Sequence, residues 1–132
     1  MKGGALAATR GVFAFATLVI LFVALTPRED HPASLTPWDK ADHVVAFYVL
    51  SLLALAAFPR TAPLLLAAAL SALGAAIEVV QATPQINRDA DVLDWVADTA
   101  AVAAAMAPLA LAGWRASVGP TEAAGGSTAA PD

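Results

Sequence analysis

The sequence contains no cysteine, which removes disulfides, thiolate nucleophiles and cysteine-ligated metals together and leaves the redox compartment unmarked. Charge is nearly as scarce. Only 14% of residues are Asp, Glu, Lys or Arg, the net charge is -4, and no basic block or aromatic-basic interleaving is present, which argues against nucleic acid as a partner. A serine elbow, a phosphate-cradling glycine loop and an HExxH helix are also missing. What is there is apolar: 59% of the 132 residues are hydrophobic and the mean hydropathy is +0.69. A soluble domain of this size would have to bury nearly all of that surface, so the bilayer is the natural solvent.

Lys2 and Arg10 mark a basic segment, residues 1–10, ahead of an apolar run over Gly11–Thr26. The same pattern describes a secretory signal peptide. Val23-Ala24-Leu25-Thr26-Pro27 is a poor small-x-small cleavage site, however, and the run reads as a first transmembrane helix. A polar loop over residues 27–42 follows, with Arg28, Glu29, Asp30, His31, Pro32 and Pro37. The second apolar run, His43–Phe58, has 16 residues, roughly 24 Å of helix against a hydrocarbon core of about 30 Å. To span, it must draw in residues at either end. Asp39, Lys40, Asp42 and His43 therefore fall at interface depth, with Trp38 as an aromatic anchor.

Pro59-Arg60 makes a short turn into the third span, Ala62–Ala82, whose face Ser71, Ala75, Glu78 runs from small residues to an acid, with Gly74 beside it. Beyond Pro84 and the Asn87-Arg88-Asp89 turn, a fourth span covers about residues 92–114. Asp91, Asp94, Asp98, Ala101 and Ala105 share one helical face there, so acids cap a small-residue seam on both helices. The simplest packing sets the two seams together. Residues 116–132, rich in Gly, Ala, Ser, Thr and Pro without periodicity, read as a disordered tail, and no internal repeat is present.

The expected fold is thus an all-α integral membrane bundle of four transmembrane helices in two hairpins, occupying residues 11–115. Two hairpins put the loop between helices one and two on the same side as the loop between three and four. The Asp39–His43 cluster and the Glu78–Asp98 cluster therefore share one end. Lys2, Arg10, Arg60 and Arg115 lie on one side against Arg28, Lys40 and Arg88 on the other, which favours cytoplasmic termini and an outward polar end.

These polar residues also carry a resemblance. Asp39-Lys40-x-x-His43 opening a helix with Phe47-Tyr48, then Glu78-x-x-Gln81, a proline-bearing turn, Arg88, and Asp94 six residues later resemble the VanZ-like family of small bacterial membrane proteins, over about residues 12–113. Asp98 stands where that family usually has Asn, and Ala101 where a glycine tends to follow. The resemblance implies a multi-pass protein of the bacterial cytoplasmic (inner) membrane and a link to reduced teicoplanin susceptibility. It implies no reaction, because the family has no agreed biochemical activity.

An unpaired acid at mid-bilayer costs on the order of 2.5–3.5 kcal/mol, so Glu78, Asp94 and Asp98 either sit at the headgroup edge or are paired and used. Arg88 either anchors its loop or neutralises Glu78 or Asp94, with a fork that also fits phosphate. Lys40 has the same two readings, and Gln81 either holds the Glu78 carboxyl or bonds a neighbouring helix. The binding set is Asp39, Lys40, His43, Glu78, Gln81, Arg88, Asp94 and Asp98. Glu78, Asp94 and His43 are candidates for acid-base catalysis. His43, Glu78, Asp94 and Asp98 are candidates for a hard divalent cation such as Mg²⁺, Ca²⁺ or Mn²⁺; no other cofactor is expected. No second histidine stands at zinc spacing from His43. Three functions are open: a binding protein for a lipid headgroup, cell-wall precursor or glycopeptide; a membrane-embedded enzyme on a lipid-linked substrate; and an ion-coupled carrier. The carrier needs polar residues along the lower helices, where Leu52–Phe58, Leu64–Leu70 and Val102–Leu111 supply none.

Overall fold

A computed structural model describes residues 2–27, 39–86 and 90–118. The described chain is all helical: α1 is Lys2–Leu25, α2 Asp39–Ala57, α3 Pro63–Gln81 and α4 Val92–Val118. Three of these, over Gly3–Leu25, Pro63–Gln81 and Val92–Ser117, are long and apolar enough to cross a membrane. The apolar part of α2, Ala41–Ala57, is shorter, as the count from His43 anticipates.

The helix limits differ from the sequence reading in three places. Residues 2–10 are not a separate basic segment but the first turns of α1, because Ala5-Leu6-Ala7-Ala8 favours helix and no proline interrupts it. α2 starts at Asp39 rather than His43, so the polar turn is itself helical. α4 continues through Arg115 to Val118 and tolerates Pro108 within it. The bounds of α3 follow its prolines. Pro63 occupies the first turn, where its missing N–H is no loss, and the helix stops at Gln81 before Thr83-Pro84. Of the expected tail, 119–132 lies outside the described residues, as do Arg28 and Trp38 of the first loop.

α4 packs against both α2 and α3, whereas α1 lies against α2 and α3 and, among the described residues, does not touch α4. The core comes from the three later helices: Phe47, Leu50 and Ala54 of α2, Leu66, Leu70 and Ile77 of α3, and Ala101, Val102 and Met106 of α4. α1 is peripheral, and only its Phe13, Ala16, Ile20, Leu21 and Ala24 pack against that core.

Polar contacts tie α1 on at both ends. At one end Arg10 donates from Nε to the carbonyl of Ala57, the last residue of α2, at 3.1 Å, satisfying an orphan helix-end acceptor. Its guanidinium also lies 5.5 Å from the centroid of Phe58, whose ring meets Phe13 edge-on at 5.4 Å. At the other end Gln81 Nε2 donates to the Ala24 carbonyl at 2.9 Å. Large apolar side chains cover the outside, among them Phe15, Phe22, Leu64, Leu65, Val79, Val92, Leu93 and Leu111. An exterior of that kind far exceeds the isolated patches of soluble monomers.

Candidate functional site

The polar residues gather at the end of the bundle where α2 and α4 begin and α3 finishes. At its centre is a pair that sequence reasoning left unassigned. His43, in the second turn of α2, meets Asp98 of α4, 55 residues away. Nδ1 stands 3.3 Å from Oδ1 and 3.4 Å from Oδ2. The angle favours a hydrogen bond to Oδ2, and Oδ1, although within ion-pair range, accepts none. Asp98 is 0% exposed.

α3 makes room for this pair by having no side chain at Gly74. A Cβ there would lie 3.3 Å from Asp98 Oδ2 and 3.5 Å from both Phe47 Cζ and Trp95 Cδ1. The buried line of α3 is accordingly Leu66, Leu70, Gly74, Ile77 and Gln81. The expected face of Ser71, Ala75 and Glu78 forms its half-buried flank. The α4 face is as expected, with Asp94, Asp98, Ala101 and Ala105 all buried. Further along the seam Ser71 and Thr99 join hydroxyl to hydroxyl at 2.9 Å, and Trp95 Nε1 donates to the Ser71 carbonyl at 3.1 Å.

Glu78 lies one turn from Gly74 toward the end of α3 and meets the start of α4. Its Oε2 accepts the Asp91 N–H at 3.0 Å, where backbone donors are in excess and a negative charge is favoured. Asp91 in turn caps α4 by accepting the Leu93 N–H at 2.9 Å. The other oxygen of Glu78, Oε1, is buried and accepts no hydrogen bond.

The structure therefore brings His43, Glu78, Asp94 and Asp98 to one end of the bundle. Gln81 is there too, but its amide is spent on α1, the helix-bonding alternative of its two readings. Asp39 and Lys40 open α2; their side chains, and the whole of Arg88, lie outside the described residues. Among the described residues no three His, Asp or Glu side chains converge closely enough to hold a metal ion. Gly74 is the contributor that sequence reasoning underused. Its position one turn before Glu78 on a helix otherwise free of glycine is the available signal.

Among the described residues, exposed apolar side chains flank the acids on the same helices, Val45 at 51%, Val79 at 71% and Val96 at 49%, as an apolar collar. No family model matches the chain, and no curated protein or solved structure matches it either.

Proposed function

We propose that this protein is a four-span membrane protein of the bacterial cell envelope, VanZ-like in character. In this reading its polar end faces outward, both termini are cytoplasmic, and the site engages the polar head of a membrane lipid or lipid-linked wall precursor. The observation that carries the reading is the polar cluster inside an apolar collar. A molecule with a polar head and hydrocarbon tails matches both surfaces at once, the head inside and the tails along Val45, Val79 and Val96. The resemblance adds teicoplanin susceptibility as the phenotype through which such binding would be felt.

One observation favours a second reading, a membrane-embedded acid-base enzyme. A buried carboxylate on Nδ1 is the arrangement that fixes an imidazole for proton transfer at Nε2. Both readings place the work in the same residues. The test is teicoplanin susceptibility of a strain lacking the protein, complemented with wild type, Glu78→Gln or Asp94→Asn, with membrane levels checked by blot. Variants that reach the membrane at wild-type levels but fail to restore resistance sustain the site. Full restoration refutes it, and a wild type without effect removes the teicoplanin phenotype.

A further inference from the structure

Charge is divided between the two ends of the bundle. Among the described residues Asp42, Glu78, Asp91, Asp94 and Asp98 all stand at the end where α2 and α4 begin, whereas Arg10, Arg60 and Arg115 lie toward the other. Two of these arginines come to one turn. Arg10 of α1 is held on the last turn of α2 by its Nε bond to the Ala57 carbonyl and by its place over Phe58. Arg60 follows Phe58 by two residues, in a turn that Pro59 shapes and that the Thr61 N–H closes on the Phe58 carbonyl at 3.0 Å. Arg10 uses Nε alone. Its Nη groups, like the whole exposed guanidinium of Arg60, make no hydrogen bond or ion pair among the described residues. Two cations gathered at one turn without a carboxylate repel each other, and an anion shared by both reverses the sign.

The surroundings say which anion. Leu64 and Leu65, just beyond Arg60, and Val12, two residues along α1 from Arg10, are exposed and apolar. A free anion leaves them unused, whereas a lipid covers them with its acyl chains. We infer that the α2–α3 turn binds the phosphate of an anionic phospholipid between Arg10 and Arg60, with the chains along Leu64, Leu65 and Val12. Guanidinium N–H groups match a phosphate oxygen pair, and the start of α3, where Ala62 supplies no side-chain cap, adds a favourable dipole. A zwitterionic lipid carries its own ammonium to the arginines, so net charge on the headgroup decides the preference. This site lies at the opposite end from Glu78 and is independent of the headgroup reading above.

The test uses the full chain in phosphatidylcholine nanodiscs doped with phosphatidylglycerol. Lipids that stay with the protein after brief transfer to mild detergent are counted by mass spectrometry. Wild type is expected to retain phosphatidylglycerol about tenfold over phosphatidylcholine, relative to their proportions in the disc. Arg60→Gln should lower that preference about fivefold, equivalent to about 1 kcal/mol for one basic side chain at an anionic surface. Arg60 is exposed and bonds to nothing in the described fold, and helical circular dichroism checks that the variant is intact. Arg115→Gln removes the same charge from the far end of α4 and should change the preference less than twofold. Equal retention of the two lipids by wild type overturns the inference, as does a preference that survives Arg60→Gln. Equal losses in the two variants also overturn it, because they report a diffuse positive surface instead of a site. A final wash separates the sources of phosphate. Loss of the lipid in sodium phosphate, but not in sodium chloride of equal ionic strength, shows a site for free anions and refutes the lipid as occupant.

Discussion

Substituting His43 by leucine tests whether the buried pair holds the bundle together as its geometry requires. The change removes the hydrogen-bonding partner of a carboxyl that is 0% exposed and stands 3.3 Å from the imidazole. Breaking a buried pair by deleting one member costs about 3–5 kcal/mol, because the remaining charge stays in low dielectric without compensation. Against a total stability of about 5–15 kcal/mol, that is a large fraction. The reciprocal change, Asp98→Leu, is expected to cost less, since an isolated imidazole can be neutral whereas an isolated carboxylate must first take up a proton. Replacing both residues removes the charges together, and such double replacements range from neutral to about 1–4 kcal/mol stabilising. The double variant should therefore be more stable than His43→Leu alone. Unfolding of the four proteins in mixed micelles of rising SDS content, followed by tryptophan fluorescence, measures the cycle. Additive single costs, or a His43→Leu cost below about 1 kcal/mol, would show that the pair is not coupled in the way described.

Other consequences are open to measurement. Gly74→Val should destabilise by about 1–3 kcal/mol through overpacking against Asp98, Phe47 and Trp95, with Gly74→Ala milder because helix propensity offsets part of the cost; equal stability of all three would refute the close approach. Arg10→Met should lose about 1–2 kcal/mol from its bond to the Ala57 carbonyl and its place over Phe58, read by the same SDS titration. Orientation can be read directly, since the chain has no cysteine of its own. In intact cells a membrane-impermeant maleimide should label Thr83→Cys, beyond the end of α3, and spare Thr61→Cys, in the turn before it; the reverse pattern inverts the proposed topology.

Much of the scaffold was legible because it depends on local rules. The acids of α4 repeat at helical spacing with Ala101 and Ala105, and that face is the buried one. Pro63 and Thr83-Pro84 bound α3 through their backbone chemistry alone. The two-hairpin argument put His43 at the same end as Glu78, and the structure places them there. The partnerships were less legible, since each depends on how two helices rotate against one another. Nothing in the spacing of His43 and Asp98 selects that pair over His43 and Asp94. On α3, small residues at Ser71 and Ala75 drew attention to a flank, while the absence of any side chain at Gly74 set the line of closest approach. Gln81, one turn beyond Glu78, allowed either a hold on the Glu78 carboxyl or a bond to a neighbouring helix. Its amide takes the second, satisfying the Ala24 carbonyl at the end of α1, a partner that appears only once the helices are assembled.

The separation of α1 from α4 makes the molecule modular. All four acidic and imidazole groups of the site sit on α2, α3 and α4, while α1 is fastened by Arg10 at one end and Gln81 at the other and, among the described residues, has no contact with the helix that carries Asp98. A gene split after residue 27 would leave every one of those groups on the larger fragment. The first helix, supplied as a separate peptide, would then act as a detachable brace whose docking could be followed as a bimolecular event, with Arg10 and Gln81 setting its register.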